Sequence, residues 1–305
     1  MFRRFSVTRD LKHVTLPLVL CMVAAFAQLH LLQMASGLET ALRFTMAAAW
    51  AGKDWSGYRS RLLGVGSIHM LGGDMRAFLI VTFASLVLGG ALSWYLDGAR
   101  GFGIYHAGFA LVANPWFAPW DIWGPVLFTL FVIFVIERRT TWWFVALFAV
   151  AIFDRQSAMF IPLWMILSRR FVRAGVVCAA AGIAIMWFWQ HSGLPHFGFW
   201  VFGSGYGTDY GQERILENLH HLIEPLVAGI FVVVILAAVV VMREEMTLGL
   251  TFLALLLTTS VLGILSETRV YLDFLPLLVL AARGTAVSRR TELERRTATK
   301  QADAA

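Results

Sequence analysis

Charge is scarce in this chain: Asp, Glu, Lys and Arg make up 14% of its 305 residues, roughly half the share found in a soluble domain. Hydrophobic residues fill 59% of it, so water is not its main solvent. Cysteine is nearly absent. Cys21 and Cys178 both lie in apolar runs, where a thiol behaves as a small hydrophobe, and neither a disulfide framework nor a cysteine metal site is indicated. No Rossmann or P-loop glycine pattern opens a helix, which argues against a nucleotide-driven enzyme or pump. No period of roughly 20–50 residues repeats, so a solenoid is excluded.

Apolar sequence is what the chain has in abundance. Ten stretches stand out, at 14–36, 77–96, 102–115, 122–136, 142–153, 157–168, 174–190, 222–242, 247–265 and 270–282. A membrane span takes about 20 apolar residues, fewer when short or re-entrant. The expected fold class is therefore all-α: a polytopic transmembrane helical bundle of about ten membrane segments, with a short hairpin at 142–168. Residues 1–305 read as a single integral membrane domain ending in a basic cytoplasmic tail, 283–305. The first stretch follows Arg3, Arg4, Arg9 and Lys12 as a signal peptide would. Its apolar run from Val14 to Ala35 is long for that role, and it reads as a retained helix.

The basic residues set an orientation. With the N-terminus inside, 17 of the 25 Lys and Arg residues fall in cytoplasmic segments, leaving Arg43, Lys53, Arg59, Arg61, Arg76, Arg155, Arg214 and Arg269 outside. Basic loops stay cytoplasmic, so both termini are expected there. The net charge of +6 comes mainly from these anchors and from the tail, which suits anionic headgroups; no nucleic acid is needed to explain it. The two long non-apolar stretches, 37–76 and 191–221, both fall outside, where any chemistry is expected.

The stretch 142–168 has Arg138–Arg139 before it and Arg169–Arg170 after it, so both of its ends belong in the cytoplasm. Split at Asp154-Arg155-Gln156, it gives two arms that each reach roughly 18 Å at 1.5 Å per residue. The polar turn then lies deep in the bilayer, where irregular backbone survives only against protein or a wet cavity. Arg155 there is either an anion holder or, with Asp154, a turn ion pair that merely caps two helices.

Two further constellations carry charge. Lys53-Asp54-Trp55-Ser56-Gly57-Tyr58-Arg59-Ser60-Arg61 pairs two guanidinium groups with Trp and Tyr. That combination fits a phosphate at the membrane interface, or equally an amphipathic helix gripping lipid headgroups. Glu39 and Asp54 are the only carboxylates between the first span and this motif. At the last span, Glu267 and Arg269 precede Asp273 and Pro276. On an α-helix Arg269, Asp273 and Pro276 share a face, so Arg269 could neutralise Asp273 while Glu267 points elsewhere; an interfacial charge pair setting helix depth is the plainer account. The stretch 191–221 holds several His and Glu residues but no HExxH spacing, and reads as a lid rather than a metal site.

Taken in order, YRSRLL (Tyr58–Leu63), FDRQSAMFIP (Phe153–Pro162) and ETRVYLDFLPLL (Glu267–Leu278) resemble a group of bacterial polytopic inner-membrane proteins. That group is similar in layout to the GT-C class of membrane glycosyltransferases and to the polymerases of surface polysaccharides. The resemblance implies a polyprenyl-phosphate sugar donor and a role in cell-envelope polysaccharide or glycolipid assembly. Carried onto this chain, it makes Asp54, or else Glu39, the catalytic carboxylate with Glu267 as an orienting one. Tyr58, Arg59, Arg61, Asp154, Arg155 and Arg269 become substrate-binding residues, with lipid phosphate or lipid-linked sugar and membrane lipids as partners. Some relatives use a divalent ion; no dedicated site for one is evident, and the cofactor stays open. A transporter or flippase with a midplane polar site, and a non-catalytic membrane scaffold, remain the alternatives.

The charge distribution makes the topology testable. A cysteine placed between Arg289 and Lys300 should react with a membrane-impermeant thiol reagent only after the cytoplasmic face is exposed; labelling of intact cells would overturn the assignment.

Overall fold

The computed structural model describes residues 12–34, 62–112, 121–191, 219–262 and 268–284, and every regular element among them is helical. In chain order these are α1 (Lys12–Met34), α2 (Leu62–Met70), α3 (Met75–Val112), α4 (Gly124–Ile136), α5 (Thr141–Ala151), a 3-10 turn (Gln156–Met159) leading into α6 (Phe160–Leu167), α7 (Val172–His191), α8 (Pro225–Met242), α9 (Met246–Leu262) and a second 3-10 turn (Thr268–Phe274). The second 3-10 turn continues into α10, residues 275–284. Two helices, α3 and α8, are long and apolar enough to cross a membrane. Large apolar side chains are exposed along them and along α1, among them Phe26, Ile80, Leu111, Val232 and Leu236.

α3 is two helices joined at a kink. Asp97 and Gly98 leave helical geometry, Gly98 at φ +60°, a conformation that glycine adopts without steric cost. The two arms fold back on each other through glycines. A Cβ on Gly89 would strike the Tyr105 ring, one on Gly90 the His106 ring, and one on Gly101 the backbone carbonyl of Ser93. Small residues let helix backbones approach closely, which is how helices associate where no water drives them together.

α1 seals this hairpin. Cys21 and Ala25 are fully buried against it, with Leu29 nearly so. Gln28 donates from Nε2 to the His106 carbonyl at 2.6 Å, while its Oε1 lies 3.0 Å from His106 Nδ1. Among the described residues, this is a docked helix with a specific polar register.

Residues 141–167 form the expected hairpin. α5 and α6 are separated by a turn at 152–155, and the start of one meets the end of the other, with Phe144 and Trp164 ring centroids 4.8 Å apart. The 11 residues of α5 span about 16 Å, so the tip stops well short of a full crossing. Phe131, Phe144, Trp164 and Phe171 pack edge-on or tilted into an aromatic plug that holds α4, α5, α6 and the start of α7 together.

Within the non-apolar stretch 37–76, α2 occupies Leu62–Met70; a nine-residue helix containing two glycines carries too weak a periodicity to be read from sequence. One expectation needs correction. The segment before Pro276 is a 3-10 turn rather than α-helix. At three residues per turn it does not align Arg269 with Asp273.

The glycine packing predicts a specific sensitivity. Gly101→Ala should lower the thermal stability of the detergent-solubilised protein by about 1–3 kcal/mol, since backbone must yield to the new methyl. Gly103→Ala, where a Cβ meets nothing within 4 Å, should be neutral or stabilising by up to about 1 kcal/mol through helix propensity.

Candidate functional site

Four segments meet around the tip of the α5–α6 hairpin. Asp154 and Arg155 occupy the turn, where Arg155 adopts an extended backbone (φ −149°, ψ 152°) that swings its side chain out of the hairpin. Its Nη2 lies 3.2 Å from Oδ1 of Asp121, just before α4, and its Nη1 lies 3.2 Å from Oδ1 of Asp273 in the last 3-10 turn. Ser157 donates to the other oxygen of Asp273 at 2.8 Å. Asp121, Asp154 and Asp273 are all buried, and the Asp154 carboxylate adds to the negative field on the guanidinium. The planar fork of arginine suits this arrangement, since two terminal nitrogens can address two carboxylates at once.

The surroundings are built to let these groups meet. Gly124 opens α4, and a Cβ there would stand 2.6 Å from Asp273 Oδ1 and 3.3 Å from Arg155 Cδ. Glycine therefore clears the path of the arginine. Asp121 sits just before the first turn of α4, where the helix dipole favours negative charge. The strand of chain that carries it is tied down twice: Ser85 of α3 donates to the Ile122 carbonyl at 2.9 Å, and the Trp123 indole donates to Ser67 of α2 at 3.3 Å. α2 also reaches the hairpin directly, through the Leu63 N–H to the Phe153 carbonyl at 3.0 Å.

The three sequence fragments singled out above are thus joined. YRSRLL ends at Leu63, which bonds the hairpin tip, and the tip bonds Asp273 in ETRVYLDFLPLL through Arg155 and Ser157. Of the candidate residues, Asp154 and Arg155 stand in this site. Glu39, Asp54, Tyr58, Arg59, Arg61 and Glu267 lie outside the described residues. Arg269 falls in the 3-10 turn with its side chain outside the described part. The charge on Asp273 is met by Arg155.

Sequence reading passed over Asp121 and Ser157. A signal for Asp121 existed: it is the one charged residue between Arg100 and Glu137, and an isolated carboxylate in apolar sequence needs a partner. Ser157 offered none, because a lone serine in a helix-forming segment is unremarkable. No group of three or more His, Cys, Asp or Glu that could hold a metal ion occurs among the described residues. No family model, curated protein or solved structure matches this chain.

Removing the guanidinium should expose what it holds. Arg155→Ala is expected to cost about 3–5 kcal/mol, because it strands buried carboxylates. Arg155→Lys should also destabilise, since a point charge cannot bridge Asp121 and Asp273 as the fork does. In a double-mutant cycle read by thermal unfolding, Arg155→Ala with Asp273→Asn should be milder than the sum of the single changes; strict additivity would dissolve the pair.

Proposed function

We propose that this chain is a polytopic integral membrane protein, with about ten membrane segments and both termini cytoplasmic, that transfers sugar from a polyprenyl-phosphate donor on the outer side of a bacterial inner membrane. The meeting of Leu63, the hairpin tip and Asp273 carries this reading. In sequence, Arg59 and Arg61 stand four and two residues before Leu63, whose N–H bonds the Phe153 carbonyl at the hairpin tip.

The membrane part rests on exposed apolar surface. Val232, Val233, Leu236 and Val239 of α8 face outward, and a soluble monomer rarely exposes contiguous apolar patches of such extent. Polarity is also segregated. Arg100 bonds the Ala282 carbonyl and Tyr95 bonds Glu137 at one end of the bundle, while Asp121, Arg155 and Asp273 gather at the other. Arg138, Arg139, Arg169 and Arg170 lie on the first of these ends, as cytoplasmic anchors would.

In the proposed reaction a carboxylate, Asp54 or else Glu39, takes the proton of the acceptor hydroxyl. The acceptor oxygen bonds the anomeric carbon as the bond from that carbon to the phosphate oxygen breaks, and polyprenyl phosphate departs. Arg59 and Arg61 stabilise the charge on the leaving phosphate. Arg155 already spends two nitrogens on Asp121 and Asp273, so we assign it positioning: it clamps the hairpin, the start of α4 and the last 3-10 turn together. Glu267, which immediately precedes that turn in sequence, and Arg269, within it, orient the acceptor and the phosphate. An apolar groove of about 280 Å³ lies on the other side of the same turn, lined by Gly108, Val112, Pro225, Ile230, Tyr271 and Phe274. It is suited to the first units of a polyprenyl chain.

A transporter or flippase is the second reading, favoured by the buried Arg155–Asp273 pair inside the bundle. Purified protein in proteoliposomes, given a polyprenyl-phosphate sugar and candidate acceptors, separates the two. Sugar product that falls at least a hundredfold in Asp54→Asn, or in Glu39→Gln, supports transfer. Movement of the lipid-linked sugar across the bilayer without product, unaffected by both substitutions, would overturn it in favour of transport.

A further inference from the structure

The opposite end of the α5–α6 hairpin carries a second, unassigned arrangement. α4 ends at Glu137 and α6 at Ser168, and in both cases the next residue is an arginine in left-handed backbone geometry: Arg138 at φ 52° and Arg169 at φ 56°. Among the described residues these are the only non-glycine positions with positive φ. The geometry itself is a helix stop. The Arg138 N–H bonds the Val135 carbonyl, the Arg139 N–H bonds that of Phe134, and the Arg169 N–H bonds that of Ile166. Glycine fills this position in most helices that end so. Arginine is strained there, and strain retained twice at one end of a fold points to a use for the side chain.

The side chains are presented together. The Phe134 and Trp143 ring centroids lie 5.4 Å apart and those of Phe144 and Phe171 5.5 Å apart, both pairs tilted, which binds the two helix stops into one platform. Arg138, Arg139, Arg169, Arg170 and Arg173 are all exposed on it. Glu137 pairs with Arg139, and it is the only carboxylate within 124–191 apart from Asp154 at the far end. The platform therefore keeps a large excess of positive charge. Its rim is apolar: Trp142 is 78% and Trp143 50% exposed, and Leu167 and Val172 are exposed beside Arg169 and Arg170.

We propose that this platform is a binding site for an anionic phospholipid, whose phosphate is held by Arg138, Arg169, Arg170 and Arg173 and whose upper acyl chains lie against Trp142, Leu167 and Val172. A soluble anion would satisfy the arginines but leave the apolar rim in water. A phospholipid satisfies both, and tryptophan rings belong at headgroup depth. The site rests on the membrane placement proposed above and is independent of the reaction. Its place is structural and regulatory: it fixes the cytoplasmic mouth of the same hairpin whose tip carries Arg155.

The strain supplies a variant that separates binding from folding. In Arg138→Gly/Arg169→Gly both left-handed positions become glycine, so the lipid-free protein in detergent should melt higher than wild type. The same variant should retain less dioleoyl-phosphatidylglycerol than wild type after purification from nanodiscs made of that lipid and dioleoyl-phosphatidylcholine. Mass spectrometry should read a loss of roughly fivefold per arginine removed. Arg243→Gln, which removes an exposed arginine at the α8–α9 turn, should leave retention unchanged. Equal retention in wild type and the glycine variant, or equal loss in Arg243→Gln, overturns the site. So does a melting rise with inorganic phosphate equal to that with the lipid, which would make the ligand a free anion. Failure of wild type to insert into nanodiscs of phosphatidylcholine alone would overturn the membrane placement as well, whereas insertion without anionic preference overturns only the site.

Discussion

A guanidinium held between two buried carboxylates is the constraint on which the arrangement of the bundle depends. Arg155 touches Asp121 and Asp273 at 3.2 Å each, and these residues belong to three segments far apart in the chain. None of the three charges is tolerable alone in an apolar interior, since removing water from an ion costs several kcal/mol unless a partner compensates. The hairpin tip, the start of α4 and the last 3-10 turn are therefore obliged to meet. The buried pair contributes less to net stability than to uniqueness of packing: apolar helices without polar faces could slide against one another, and a charge that must find its counter-charge removes that freedom.

Other parts of the molecule accommodate this meeting. Gly124 leaves room for the arginine to pass, and the last segment tightens to 3-10 geometry just where Asp273 must turn inward. Ser85 and Ser67 hold the short stretch before α4 against α3 and α2. The glycine-packed arms of α3, sealed by α1, provide the wall against which these contacts are made. Edge-on and tilted ring contacts among Phe131, Phe144 and Trp164 tie the hairpin to α4.

Much of this was readable before any coordinates. Long apolar stretches with sparse charge determined helices, and each predicted stretch overlaps a described helix or turn; the break at Asp97-Gly98 and the hairpin centred on Asp154-Arg155 were both marked by polar residues interrupting apolar ones. The periodicity that reveals amphipathic helices in water was missing, because helices apolar all round have no face to advertise. Which helix packs on which was accordingly invisible, as was α2, too short and glycine-rich to register.

The residue types of the site were determined locally, whereas their pairing was decided by tertiary structure. A lone arginine in apolar sequence announces that a counter-charge exists, without saying where. Arg269 lies four residues from Asp273 in sequence, and Asp273 pairs with Arg155, 118 positions upstream. Asp121 entered for the same reason. Local spacing governs contacts only along one helix, and in a bundle of short segments the free energy of burying charge is minimised by whichever opposite charge the packing brings within reach.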